Sequence, residues 1–207
     1  MAISERKIFL ASRSPRRREL LRQIGVGHEL LVLRDAGNRG TDVDETPHDG
    51  ETPRDYVLRV AIAKTKAGLL VAARRAGGIV KPVLAADTTI ALDSIIIGKP
   101  DDAEDATRIL QALSGRSHVV ITAVVMAFAE RIETRVSESN VMMSTLDDGL
   151  IRRYIATGEP MDKAGAYAVQ GRAAAFISRI EGSYSGIMGL PLAETVELLA
   201  AFNIESV

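Results

Sequence analysis

The chain of 207 residues contains no cysteine, which excludes disulfides, thiolate metal sites and a cysteine nucleophile. Histidine is nearly as scarce: His28, His48 and His118 stand far apart, without the spacing that a zinc site or a histidine-driven triad needs. Any metal is then expected to be a hard, oxygen-bound ion such as Mg²⁺ or Mn²⁺. No excess of one charge exists either. With 26 basic and 27 acidic residues the formal net charge is -1, so bulk electrostatic binding of a nucleic acid polymer or an anionic membrane is not expected, whereas a small anionic ligand at a local basic site is compatible. The opening run MAISERKIFLAS is charged early and its apolar part is too short for a signal peptide or a membrane span; the expected location is the cytoplasm. There is no internal repeat, low-complexity tract or polar linker. What is present, 46% hydrophobic and 26% charged residues, is the balance of a globular protein with a real core. The length suits one sizeable domain or two small lobes sharing a sheet.

The stretch that organises the rest is Val83 to Pro100, VLAADTTIALDSIIIGKP. It reads as two strands joined at Asp93-Ser94, with one carboxylate, Asp87, where an apolar residue is expected. Burying that group is costly unless a cation or donors meet it. Two uses are open to Asp87: a site carboxylate, or a strand end that bonds its own backbone.

Upstream, Ile8 to Ala11 reads as a buried strand, and Ser14-Pro15 opens a helix as N-cap and first helical residue. Leu20, Leu21 and Ile24 recur at helical spacing and Gly25 stops the run. Arg16-Arg17-Arg18 crowd the first turn, where the helix dipole disfavours cations by roughly 0.3 to 1 kcal/mol each. A strand, the turn Ala11-Ser12-Arg13-Ser14 and a helix start with free N–H groups together form a candidate phosphate cradle, distinct from a Walker loop. A solvated basic helix end is the plain alternative. Residues 34–52 read as an exposed loop carrying the acidic cluster Asp42, Asp44 and Glu45, able to meet a divalent cation or simply to be solvated.

Thr52-Pro53 caps a long helix to about Arg75, with Tyr56, Val57, Val60 and Ala67 on one face, ended by Gly77-Gly78. Lys64 falls on that stripe, where its ammonium can reach water or point at a buried anion; Arg59 and Lys66 read as surface charge. Asp101 to Glu104 and Thr145 to Asp148 read as capping boxes for helices through Leu113 and Ala156. Between them, Val119 to Phe128 and Ile132 to Met143 read as an antiparallel hairpin. The segment Asp162 to Gly171 has no clean period; its small residues permit close backbone approach, and Lys163 and Gln170 add a cation and an amide. Arg172 to Ile180 reads as a strand, Gly182 to Gly186 as a flexible turn, and Pro191 to Phe202 as a helix with Val196, Leu199 and Phe202 inward. The mixture argues for α/β with a mixed sheet.

Taken together, Leu10-Ala11-Ser12-x-Ser14-Pro15-Arg16-Arg17, Asp44-Glu45-Thr46, Ala63-Lys64, Ala86-Asp87-Thr88, Gly98-Lys99-Pro100, the Asp162 to Gly171 segment, and Gly182-Ser183-Tyr184-Ser185 followed by Gly189-Leu190-Pro191-Leu192 resemble the Maf family of nucleoside triphosphate pyrophosphatases. The likeness spans nearly the whole chain in order; one departure is the longer, more polar segment 34–41. The resemblance implies a mixed α/β fold, an elongated twisted sheet flanked by helices with a cleft between two lobes, similar to inosine triphosphate pyrophosphatases, with 1–207 forming a single Maf-like domain. It also implies a metal-dependent hydrolase of nucleotide metabolism that cleaves a nucleoside triphosphate to monophosphate and pyrophosphate. In such enzymes the residue matching Asp87 is the proton acceptor, that matching Glu45 helps hold the metal with Asp87, and those matching Arg13, Lys64 and Lys99 meet phosphates. Arg16, Thr88 and Gln170 are similar to the dTTP/UTP branch at the positions that separate substrate subgroups. The family often forms dimers. Two other readings stay open: a nucleotide-binding regulator of cell division with little hydrolysis, and the same chemistry on a modified purine or another pyrimidine triphosphate.

Overall fold

The computed structural model describes residues 7–33, 43–76 and 81–207. The apolar run at its centre forms β3 (Val83–Leu92), and β4 (Ile95–Ile97) folds back on it antiparallel. Asp93 and Ser94 between them both have positive φ, 50° and 67°, the turn geometry whose twist matches that of its strands. β1 (Ile8–Leu10), β2 (His28–Leu30), β5 (Ser117–Phe128), β6 (Arg131–Met143) and β7 (Ile177–Glu181) complete a seven-stranded sheet, ordered β2-β1-β3-β5-β6-β7 with β4 beside β3. β1 is parallel to β2 and β3; the other pairings are antiparallel. The sheet is thus mixed, as expected.

One irregularity in this sheet positions everything that follows. β5 pairs with β3 from Val83 to Ala91, but the opposite edge of β3 is divided. β1 covers Val83 and Leu84, and β4 covers Ile90 to Leu92. Residues 85–89 have no strand partner on that edge, and this notch holds Asp87 and Thr88.

Strand alternation sends those two side chains to opposite faces. One face is covered by α2 (Pro53–Ala76), which buries Val57 and Ala61 against Ile121, Ala123 and Val125. Its Gly68 permits close approach, since a Cβ there would lie 2.8 Å from Val83 Cγ1 and 2.9 Å from Ala11 Cβ. The other face carries two separate cores. α1 (Pro15–Gln23) and α6 (Leu192–Ala201) bury Leu20, Leu21, Leu198 and Leu199 against Leu10, Leu84, Ala86, Val124 and Met126. α3 (Ala103–Leu113) and α4 (Asp148–Ile155) bury Ile109, Leu110, Leu113 and Ile151 against Ile90, Leu92, Val120 and Val141. Each buried valine, leucine, isoleucine or methionine among them contributes roughly 1.5–3 kcal/mol by leaving water. Between the two cores on β3 and β5 stands one polar cross-strand pair, Thr88 opposite Thr122.

Several sequence expectations are corrected. The cap of α3 is Asp102, accepting from Asp105 N, not Asp101; the cap of α4 is Asp147, accepting from Leu150 N, not Thr145. In both helices the cap is the aspartate immediately before the first helical residue, where its carboxylate reaches the N–H three positions on. Arg172–Phe176 is a 3-10 turn, and the strand starts only at Ile177. Gly182 to Gly186 is not merely a turn: Ser183 caps a short helix, α5 (Tyr184–Met188), by accepting from Gly186 N. In α6 the deepest residues are Thr195, Leu198 and Leu199, with Val196 and Phe202 only partly buried. β2 had no sequence signal. Asp42, the whole 34–41 segment and Gly77-Gly78 lie outside the described residues.

Candidate active site

The odd-numbered side chains of β3 face α2, so Asp87 meets a residue of that helix. Its Oδ1 lies 2.6 Å from Lys64 Nζ, and the same ammonium stands 2.9 Å from Glu45 Oε1. The side chains of Lys64 and Asp87 are only 15% and 9% exposed, so the pair is sheltered and each charge depends on the other. Lys64 therefore joins two carboxylates that come from a loop and a strand. Burial alone raises the pKa of Glu45, but Lys64, with Lys99 and Arg17 farther off, leaves it below its ordinary value. Tyr56 lies alongside, its hydroxyl donating to Glu45 O at 3.0 Å. Burial, then the negative charges of Asp87 and Glu45, push its pKa up to about 12.

Glu45 belongs to a loop that needs its own support. Arg59, expected as surface charge, supplies it. Its Nε and Nη2 donate to the two carboxylate oxygens of Glu51 at 2.6 and 2.8 Å, Nη2 also donates to Thr46 O at 2.9 Å, and Nη1 donates to Asp44 O at 3.3 Å. A planar fork suits such multiple acceptors, as an ammonium would not. The Arg59 bond is the main reason that the Glu51 pKa falls to about 2.

On the opposite face, even-numbered Thr88 meets α1. Arg17 donates from Nη2 to Thr88 Oγ1 at 3.2 Å, from Nη1 to Ser12 Oγ at 3.3 Å, and from Nε to Gly189 O at 2.7 Å. Burial lowers the Arg17 pKa, against the opposing pull of nearby Asp87. Thr88 Oγ1 is also 2.9 Å from Thr122 Oγ1, and Thr122 donates to Gly186 O at 2.8 Å.

The notch joins both faces into one cleft of roughly 1010 Å³, and every residue singled out from the sequence lines it: Ser12, Arg13, Arg16, Glu45, Lys64, Asp87, Thr88, Lys99, Lys163 and Gln170. Ser12 accepts from Ser14 N at 3.2 Å, and Arg13 reaches Leu33 O at 2.9 Å. Lys99 and Gln170 are exposed. The turns that carry Lys99 and Lys163 are tied together by Gly165 N donating to Gly98 O at 2.9 Å. Lys163 itself bonds Glu159 O at 2.9 Å and the carboxylate of Asp162. Arg17, Tyr56, Arg59 and Thr122 were not anticipated. For Arg17 a signal existed, because it lies on the same helical stripe as Leu20, Leu21 and Ile24.

The family model described as Maf-like protein matches residues 7–202. The chain belongs to the Maf family. It is similar to proteins named dTTP/UTP pyrophosphatase from Aromatoleum aromaticum, 58% identical with 95% of this chain and 96% of that one covered, and from Nitrosomonas europaea, 53% identical with 95% of each covered. A third, from Chromobacterium violaceum, is 46% identical with 99% of each covered. Among solved structures, the Staphylococcus aureus Ham1 protein aligns with a TM-score of 0.46 and 15% identity, covering 95% of this chain and 97% of that one.

In this Maf protein no group of three or more acidic, histidine or cysteine side chains converges as a metal cage among the described residues. Two carboxylates do converge on Lys64, which takes Oδ1 of Asp87 and Oε1 of Glu45 and leaves Oδ2 and Oε2 as hard oxygen donors. That donor set fits Mg²⁺ or Mn²⁺, ions that accept one or two carboxylates and complete their shell with phosphate oxygens and water. No helix among the described residues is long and apolar enough to cross a membrane.

Proposed function

We propose that this Maf protein is a nucleoside triphosphate pyrophosphatase that hydrolyses dTTP and UTP to the monophosphate and pyrophosphate, one Maf-like domain acting on free cytoplasmic nucleotides. The observation that carries the reading is the pair of carboxylates, Asp87 and Glu45, held on one ammonium in a cleft that the cations Arg13, Arg16, Lys99 and Lys163 also line. A triphosphate brings three mutually repelling phosphates, and cations placed around them stabilise the charge that moves to the leaving pyrophosphate. The relatives' names supply the substrate, and Thr88 and Gln170, on the same cleft, supply side chains able to read a base.

The chemistry follows from the residues. Asp87 accepts a proton from a water molecule, the water oxygen bonds to the α-phosphorus, and the bond from that phosphorus to the bridging oxygen breaks, with the electron pair leaving on pyrophosphate. Lys64, 2.6 Å from Asp87 Oδ1, aims the carboxylate. Glu45 and Asp87 would hold a divalent cation through their outward oxygens; when bound, it supplies Lewis-acid neutralisation of phosphate charge and lowers the pKa of water. Arg13, Arg16 and Lys99 orient the phosphates in line with the attacking water.

The test is pyrophosphate release from the purified chain with Mg²⁺ or Mn²⁺ over a panel of standard and modified nucleoside triphosphates. Turnover is expected to be highest with dTTP and UTP. No release from any nucleotide overturns the reading, and tight binding without turnover would make the protein a nucleotide-binding regulator instead.

A further inference from the structure

The hydroxyl chain behind Thr88 has only one consistent arrangement of protons. Gly186 O is a carbonyl and can only accept, so the single hydroxyl proton of Thr122 goes to it, at 2.8 Å. Thr122 Oγ1 then has no proton left for its other neighbour. The 2.9 Å contact with Thr88 must be made by the Thr88 proton. Arg17 has no acceptor and donates to Thr88 Oγ1 at 3.2 Å, taking one of its two lone pairs. Thr88 faces the cleft with its proton committed and one lone pair free. It can accept a hydrogen bond from a ligand and cannot give one.

That polarity has a consequence for a pyrimidine base. The pairing edge of uracil or thymine carries two carbonyl oxygens and one donor, N3–H. Cytosine has a bare, accepting N3 and an amino group in place of the 4-oxygen. A group restricted to accepting can meet the uracil edge only at N3–H, and the same placement sets it against a second acceptor in cytosine. We propose that Thr122, with Arg17, is a positioning residue that fixes Thr88 as an acceptor, and that this fixed polarity favours uracil and thymine nucleotides over cytosine ones. Thr122 is 1% exposed and does not line the cleft, so it acts through Thr88 and not by touching substrate. The inference rests on the reading of Thr88 as a base-facing residue in a pyrimidine nucleotide site.

UTP and CTP differ only at N3 and position 4, so their kcat/KM ratio is the measurement. Thr122→Val keeps the shape and removes the hydroxyl, freeing the Thr88 proton to turn toward a bare N3. The UTP to CTP preference should fall by about tenfold, the worth of one hydrogen bond. Thr122→Ser keeps the relay and should keep the wild-type ratio, and both variants should melt as folded proteins. An unchanged ratio in Thr122→Val overturns the proposal. So does an equal loss on both substrates, which is what a merely structural role predicts, or a serine variant as permissive as the valine one. Thr88→Val, measured alongside, separates the layers. If it too leaves the ratio unchanged, Thr88 does not read the base; if it alone changes the ratio, only the relay is wrong.

Discussion

At the scale of single residues, the site is a charge balance of one ammonium against two carboxylates. Asp87 lies 2.6 Å and Glu45 2.9 Å from Lys64 Nζ. Asp87→Asn removes the proton acceptor without orphaning the lysine, because Glu45 remains beside it. Pyrophosphate release should fall by roughly 10² to 10⁴-fold with the melting temperature little changed, and near-normal activity would remove Asp87 from the chemistry. Lys64→Met acts differently. Without the shared cation, burial favours the protonated form of Glu45. Since Lys64 leads the influences that hold the Glu45 pKa down, the acid limb of the pH–rate profile should move to higher pH. A variant whose profile is merely scaled down would show that Lys64 serves only to bind phosphate.

At the scale of elements, Arg59 is the joint between α2 and the loop that presents Glu45. Arg59→Lys retains the charge but cannot hold both oxygens of Glu51 and the carbonyls of Thr46 and Asp44 together. The loop should become a site of proteolytic nicking near residues 43–51, and kcat/KM should fall about tenfold from loss of positioning. Equal protease resistance in variant and wild type would count against the joint. This residue also marks where sequence reading stopped. The strand-turn-strand around Asp93-Ser94 and the Ser14 cap were legible because local chemistry decides them. Asp87 and Glu45 were legible as candidates from their place in apolar and acidic stretches. Arg59 was not, because an arginine in a helix looks like surface charge until its partner, Glu51, is folded against it; Arg17 carried a signal in its place on the apolar stripe of its helix, but its partner Gly189, 172 positions away, did not. The notch in β3 was invisible for a related reason: it arises from two short strands sharing one edge, a property of pairing and not of any segment.

At the scale of the whole molecule, the sheet carries two apolar cores on one face, and the second contains a titratable group that the chemistry does not use. His118 is 2% exposed. Its Nε2 lies 2.7 Å from the hydroxyl of Tyr167, the rings meet edge to face with centroids 5.4 Å apart, and Nδ1 has no partner. Burial pushes the His118 pKa down from 6.5 to about 4. The folded protein thus holds His118 neutral at a pH where the unfolded chain already protonates it. Because the unfolded state binds more protons between those two values, stability is full above about pH 6.5 and declines as pH falls toward about 4, by up to about 3 kcal/mol. Tyr167, the partner of His118, also lines the cleft. His118→Gln preserves a donor and acceptor near Nε2 but cannot take up the proton. Denaturant unfolding of both proteins at pH 7 and pH 5 should show the wild type losing more stability on acidification than the variant. Parallel losses would mean that His118 is not the source of the acid sensitivity in this range.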